Sequence, residues 1–126
     1  MDDFQPWRAA LSSLLLARPD FEVVGEVSDG LEAVRTSEQL QPDLVLLDIG
    51  LEGLNGLQAA PRICAVSPGS KIVFVSQNSC QSVMRAALQC AACVFGYVIK
   101  SEAATDLLPA VDSALQSKKF VNVRPN

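Results

Sequence analysis

The stretch PDLVLLDIGLEGLNGL (42–57) decides the fold. Its first half, DLVLLDI (43–49), is a nearly continuous apolar run. A strand that is apolar on both faces suits the interior of a parallel sheet, where helices cover each side. The run delivers Asp48 at its end. GLEGLNG (50–56) then makes a long turn carrying three glycines. LQAAPRICAV (57–66) reads as a helix that Pro61 should kink or shorten, and Ser67-Pro68-Gly69 breaks it.

The same alternation continues on both sides. Downstream come a strand KIVFVS (71–76), a helix SVMRAALQCAA (82–92) and a strand VFGYVI (94–99). A last helix, AATDLLPAVDSALQSKK (103–119), carries an interior Pro109, and residues 120–126 read as a tail or the start of a linker. Upstream, Gln41-Pro42 closes a helix LEAVRTSEQL (31–40), Asp29-Gly30 turns the chain, and FEVVGEV (21–27) is a short strand. Before it, DFQPWRAALSSLLLA (3–17) repeats apolar residues at three- and four-residue steps, the period of a helix. A helix between each pair of strands predicts an α/β doubly wound parallel sheet with helices on both faces. The order αβαβαβαβα has one oddity. Such a unit normally starts with a strand, and here the first central strand is missing from the front of the chain.

A chain of 126 residues suits one domain with a real core. Apolar residues at 49% against 19% charged exclude a disordered chain. A net charge of −4 disfavours nonspecific nucleic-acid binding. The longest uncharged apolar run, Cys90 to Ile99, is well short of the ~18 residues that span a bilayer. With an acidic start and no secretory signal, the expected location is cytoplasmic. The four cysteines, Cys64, Cys80, Cys90 and Cys93, are accordingly expected as thiols. The Cys90–Cys93 spacing lacks a second pair and the chain has no histidine, so small apolar helix residues are expected there rather than a zinc site or a redox motif.

Sites in open α/β sheets form at the carboxyl ends of the strands. Those ends deliver Asp48, Ser76 and Lys100, and the missing strand would deliver Asp2 and Asp3. Clustered carboxylates call for a cation, and hard oxygen ligands suit Mg²⁺. Ser76 can hydrogen-bond a phosphoryl oxygen, Lys100 can pair with its charge, and Asp48 can form an acyl phosphate. Each residue alone has an ordinary structural reading: an Asx turn, a cap, a solvated end. Their joint placement at successive strand ends favours the functional one.

With these residues in order, the chain resembles the CheY-like receiver domain of bacterial two-component response regulators. The likeness is strongest to the subfamily with LuxR-type helix-turn-helix output. It is carried by ARPDFEVVGEVSDGLEAV (17–34), residues 42–57, PGSKIVFVSQNS (68–79) and FGYVIKSEAATDLLPAV (95–111). The resemblance implies a receiver over residues 1–119 and sheet order 2-1-3-4-5. It implies Asp48 as phosphoacceptor, Asp3 and Asp2 as Mg²⁺-binding carboxylates, and the Gly50 backbone carbonyl as a further ligand. Ser76 and Tyr97 match the conformational switch, and Lys100 the phosphate-pairing lysine. It also implies a sensor histidine kinase as partner, a homodimer through the 82–119 face or the N-terminal gap, and a DNA-binding domain beyond residue 126. Such a domain catalyses steps of its own phosphorylation and dephosphorylation without a metabolite substrate. Glu52 stands where proline is common, and Gln77 where a small residue is common. These departures and the missing strand leave an alternative: a phosphorylation-impaired pseudo-receiver acting as an interaction module. The missing strand's slot is expected to be filled by upstream residues, by a partner chain, or by FVNV (120–123) of the tail, unless the sheet has closed up.

Overall fold

The computed structural model describes residues 27, 29–50, 53–77, 80–116 and 120–121. The elements in chain order are α1 (Gly30–Leu40), β1 (Leu44–Leu47), α2 (Gly56–Val66), β2 (Lys71–Ser76), α3 (Gln81–Gln89), β3 (Val94–Ile99), α4 (Ala103–Leu115) and β4 (Phe120–Val121). A short 3₁₀ turn, Lys100–Glu102, joins β3 to α4. The strands lie in the order β1-β2-β3-β4, and every pairing is parallel.

Alternation along β2 explains the layering. Ile72 and Phe74 point into a cluster with Ala33 of α1, Ala59, Ala60 and Ile63 of α2, and Met84 and Ala87 of α3. Val73 and Val75 point the other way, against Ala103, Leu107, Ala110, Val111 and Ala114 of α4. Residues 72 to 76 of β2 are all buried, so both faces of that strand are covered; in β1, where the apolar run 43–49 predicts the same, Val45 and Leu47 are buried but Leu44 and Leu46 are only half-buried, so one face is fully covered and the other in part. Each fully buried Val, Leu or Phe in these layers contributes about 1.5–3 kcal/mol relative to an exposed one.

One irregularity places a side chain that matters below. The register steps from Ile72 opposite Val94 to Val73 opposite Gly96, so Phe95 is an extra residue on β3. A bulge of this kind shifts the phase of alternation. Val94 and Tyr97 therefore both face the α1–α3 side, while Val98 faces α4.

Local chemistry sets the helix ends. Asp29 caps α1 rather than turning the chain, its carboxylate accepting the Glu32 N–H at 2.8 Å. Asn55 and Gln58 form a reciprocal capping box at the start of α2. Gln41 takes a left-handed conformation, φ 48°, and its side-chain amide donates to the Glu38 and Val66 carbonyls, tying the ends of α1 and α2 together.

Several expectations are corrected. Pro61 does not shorten its helix, which runs from Gly56 to Val66, and Pro109 lies inside α4 as expected. Both prolines are exposed, so their rings displace no core neighbour, and each costs its helix one N–H bond to the carbonyl a turn back. α3 stops at Gln89 and Cys90 caps it, leaving Ala91 and Ala92 in a turn rather than in the helix. Cys64 and Cys93 are not thiols but a disulfide, with Cα atoms 5.9 Å apart. The close approach of α2 to the start of β3 brings together two cysteines separated by 29 residues. The described tail residues, Phe120–Val121, do not fill the slot beyond β1. They pair with β3 at the opposite edge, four inter-strand spacings or roughly 19 Å away.

Candidate functional site

β1, β2 and β3 run parallel, so their carboxyl ends form one rim. β1 ends at Leu47 and hands over to Asp48, β2 ends in Ser76, and β3 runs straight into Lys100. At this rim the Lys100 Nζ lies 3.1 Å from Asp48 Oδ2, with the two side chains only 9% and 11% exposed. Asp48 Oδ1 accepts the Gly50 N–H at 3.2 Å. The carboxylate therefore has one oxygen on a cation and the other on the turn that follows it. A nearly buried ion pair adds little stability, because desolvation offsets the attraction. Its placement at a strand-end rim fits chemistry better than stabilisation.

α2 begins hard against this carboxylate's backbone. The Gly56 N–H donates to the Ile49 carbonyl at 2.9 Å. A Cβ at Gly56 would stand 2.2 Å from the Asp48 carbonyl oxygen, so only glycine lets the helix approach this closely. The sequence hints at this residue only through Asn55-Gly56, a cap followed by a residue without a side chain.

The second pair at the rim is Ser76 and Tyr97. Both are buried, at 5% and 2% exposure. Burial pushes the Tyr97 phenol above its ordinary value, and a hydrogen bond with the Ser76 side chain pulls it the other way. The negative charge of Asp48 and the neighbouring Cys80 add to the upward shift. The Phe74 ring, centred 6.3 Å away and tilted 42°, packs against the tyrosine. Cys80 was not a candidate in the sequence. It is exposed at the start of α3, its Sγ 3.0 Å from Ser82 Oγ. That hydroxyl and the N–H groups of Val83 and Ser82 hold its thiol below the ordinary value.

The structure thus brings Asp48, Gly50 and Lys100 together, and joins Ser76 to Tyr97. Asp2, Asp3 and Glu52 lie outside the described residues, and Gln77 is exposed just past Ser76. Among the described residues no group of three or more His, Cys, Asp or Glu side chains gathers to hold a metal. Among them, too, no helix is long and apolar enough to cross a membrane.

A parallel sheet covered by helices, with an acidic and a basic residue meeting across the ends of β1 and β3, defines a doubly wound α/β domain. Residues 1–112 match the model of the response regulator receiver domain, and the chain belongs to that family, the receivers of two-component signalling. It is 33% identical over 118 residues to the transcriptional regulatory protein LiaR of Bacillus subtilis, covering 90% of this chain and 53% of that protein. It is 34% identical over 114 residues to the nitrate/nitrite response regulator protein NarL of Escherichia coli K12, covering 90% and 52%. The chain spans about half the length of these curated relatives. Among solved structures, a LuxR-family two-component response regulator from Aurantimonas sp. SI85-9A1 superposes with a TM-score of 0.87 at 27% identity, covering 95% of this chain and 84% of that one. The response regulator domain of Thermotoga maritima CheB does so with a TM-score of 0.82 at 26% identity, covering 98% and 94%.

Proposed function

We propose that Asp48 accepts a phosphoryl group from a phosphohistidine of a sensor histidine kinase. The observation that carries this reading is the nearly buried Lys100–Asp48 pair at the strand-end rim, 3.1 Å apart. An Asp48 carboxylate oxygen attacks phosphorus in line, the O–P bond forms, and the N–P bond to the donor imidazole breaks. Negative charge on the transferring group is met by the Lys100 ammonium, already beside the nucleophile. The Gly50 N–H holds Asp48 Oδ1, which fixes the carboxylate plane through the step.

The hard oxygens of Asp48 and the Gly50 carbonyl, joined by Asp2 and Asp3, suit Mg²⁺ and would hold it. Bound there, it would neutralise phosphoryl oxygens. Ser76 exchanges its bond with Tyr97 for one to the phosphoryl group. Loss of that partner frees the tyrosine hydroxyl, and the face around β3 changes with it. A DNA-binding partner domain beyond residue 126 would receive the signal, in keeping with the length of the relatives.

Labelling with acetyl phosphate in the presence of Mg²⁺ tests the reading. The chain is expected to gain one phosphoryl group, and Asp48→Asn to gain none. A folded wild-type chain that gains none is a pseudo-receiver, and the proposal fails.

A further inference from the structure

We propose that the Cys64–Cys93 disulfide is a redox-controlled staple that holds the two halves of the Asp48 rim in register from the far end of the sheet. Cys64 sits in the last turn of α2 and Cys93 immediately precedes β3. Their Cα separation of 5.9 Å falls in the normal disulfide range. The functional interest lies in what each cysteine is attached to. α2 starts at Gly56, pressed against the Asp48 backbone. From Cys93 the chain enters β3 at Val94, passes Tyr97 and leads on to Lys100. One bond thus connects the helix that buttresses the carboxylate to the strand that delivers the lysine and the tyrosine. Packed elements move as bodies, so fixing one end of α2 against β3 restricts the other.

The chemistry balances with a peroxide as oxidant. Cys64, half-buried, is the more accessible of the two, and Cys93 is 9% exposed. The Cys64 thiolate attacks a peroxide oxygen and the O–O bond breaks, giving a sulfenic acid and water. The Cys93 sulfur then attacks the Cys64 sulfur, the S–S bond forms and a second water leaves. Two electrons pass from the cysteine pair to the peroxide, and a dithiol reverses the change by exchange. Cys90 packs at the same apolar cluster, but burial raises its thiol, which makes it a slow competitor for Cys93.

The effect on phosphoryl acceptance rests on the reading of Asp48 given above, so the experiment separates the two. The full chain is prepared with hydrogen peroxide or with dithiothreitol, alongside Cys64→Ser and Cys64→Ala. Peptide mapping, amide exchange and acetyl phosphate labelling are then read on each. The oxidised chain should show a Cys64–Cys93 peptide. Exchange along 53–56 and 96–100 should slow by about ten-fold, and labelling should quicken by about three-fold or more, because a preorganised site reacts faster. In both variants peroxide still reaches the exposed Cys80, but exchange along these stretches and the labelling rate should not change with it. A Cys90–Cys93 linkage, equal exchange in the two redox states, or variants that respond like wild type would overturn the staple. Labelling absent from every sample would overturn the phosphoacceptor reading and the quickening that depends on it, while exchange still decides the staple.

Discussion

Replacing Gly56 by alanine crowds the rim beside the Asp48 backbone. The new Cβ would lie 2.2 Å from the Asp48 carbonyl oxygen, 2.7 Å from the Ile49 Cα and 2.9 Å from the Asp48 carbonyl carbon. All three are backbone atoms, so no side chain can swing away. Reaching even 3.0 Å from the oxygen requires a retreat of roughly 0.8 Å, by α2 or by the strand end. Overpacking of this kind costs about 1–3 kcal/mol. The Gly56 N–H to Ile49 bond, 2.9 Å long, is strained or lost, at about 1 kcal/mol more. Alanine's better helix propensity returns up to about 1 kcal/mol. The net expectation is a loss of about 1–3 kcal/mol, read as a lower urea midpoint by circular dichroism. The site should suffer more than the fold. A misplacement near 1 Å costs up to about a hundred-fold in rate, so labelling per folded molecule should fall ten- to a hundred-fold. Gly69→Ala, where a Cβ meets nothing within 4 Å, is the control and should change neither quantity. An unchanged midpoint for Gly56→Ala, with labelling within two-fold of wild type, would refute the claim that this close approach positions Asp48.

Three further outcomes are expected. Lys100→Met leaves the Asp48 carboxylate nearly buried without its cation, and should cost about 3 kcal/mol and a hundred-fold or more in labelling. Adding Asp48→Asn should restore most of that stability in a double-mutant cycle. Tyr97 is the single tyrosine, so phenolate absorbance reports it alone, and its midpoint should lie above the ordinary 10.0 in the folded chain and return there in urea. The sign follows: above about pH 10 the unfolded chain loses the proton first, stability falls as pH rises, and Tyr97→Phe should remove that slope. Finally, iodoacetamide at neutral pH should modify Cys80 before Cys90, and Ser82→Ala should slow the Cys80 reaction; equal rates at the two thiols would refute the assigned environments.

Much of this was legible in the chain. LVLL, KIVFV and VFGYVI are short, apolar and each followed by a polar residue, Asp48, Ser76 and Lys100, so strand, direction and rim residue come from one pattern. What was not legible depends on contacts between distant segments. The bulge at Phe95, which sets the face of Tyr97, is a property of the β2–β3 pair and not of either strand. The closeness of Gly56 to Asp48 and the meeting of Cys64 with Cys93 arise only when α2 is laid on the sheet. Pro61 misled for a simpler reason. Propensity penalises proline by sequence position, whereas here its ring is exposed and displaces no core neighbour.

The short β4 alters where the chain is headed. Its register, Phe120 opposite Gly96 and Val121 opposite Tyr97, lies parallel to β3. The polypeptide descends α4 away from the rim and then reverses, so that at Val121 it travels back toward the end that holds Asp48. It does so hydrogen-bonded alongside the strand that carries the tyrosine, covering backbone groups that would otherwise recruit a stranger's strand. A load attached past this point would pull on β3 along its length, shearing the β3–β4 pair, rather than hang from the base of the domain.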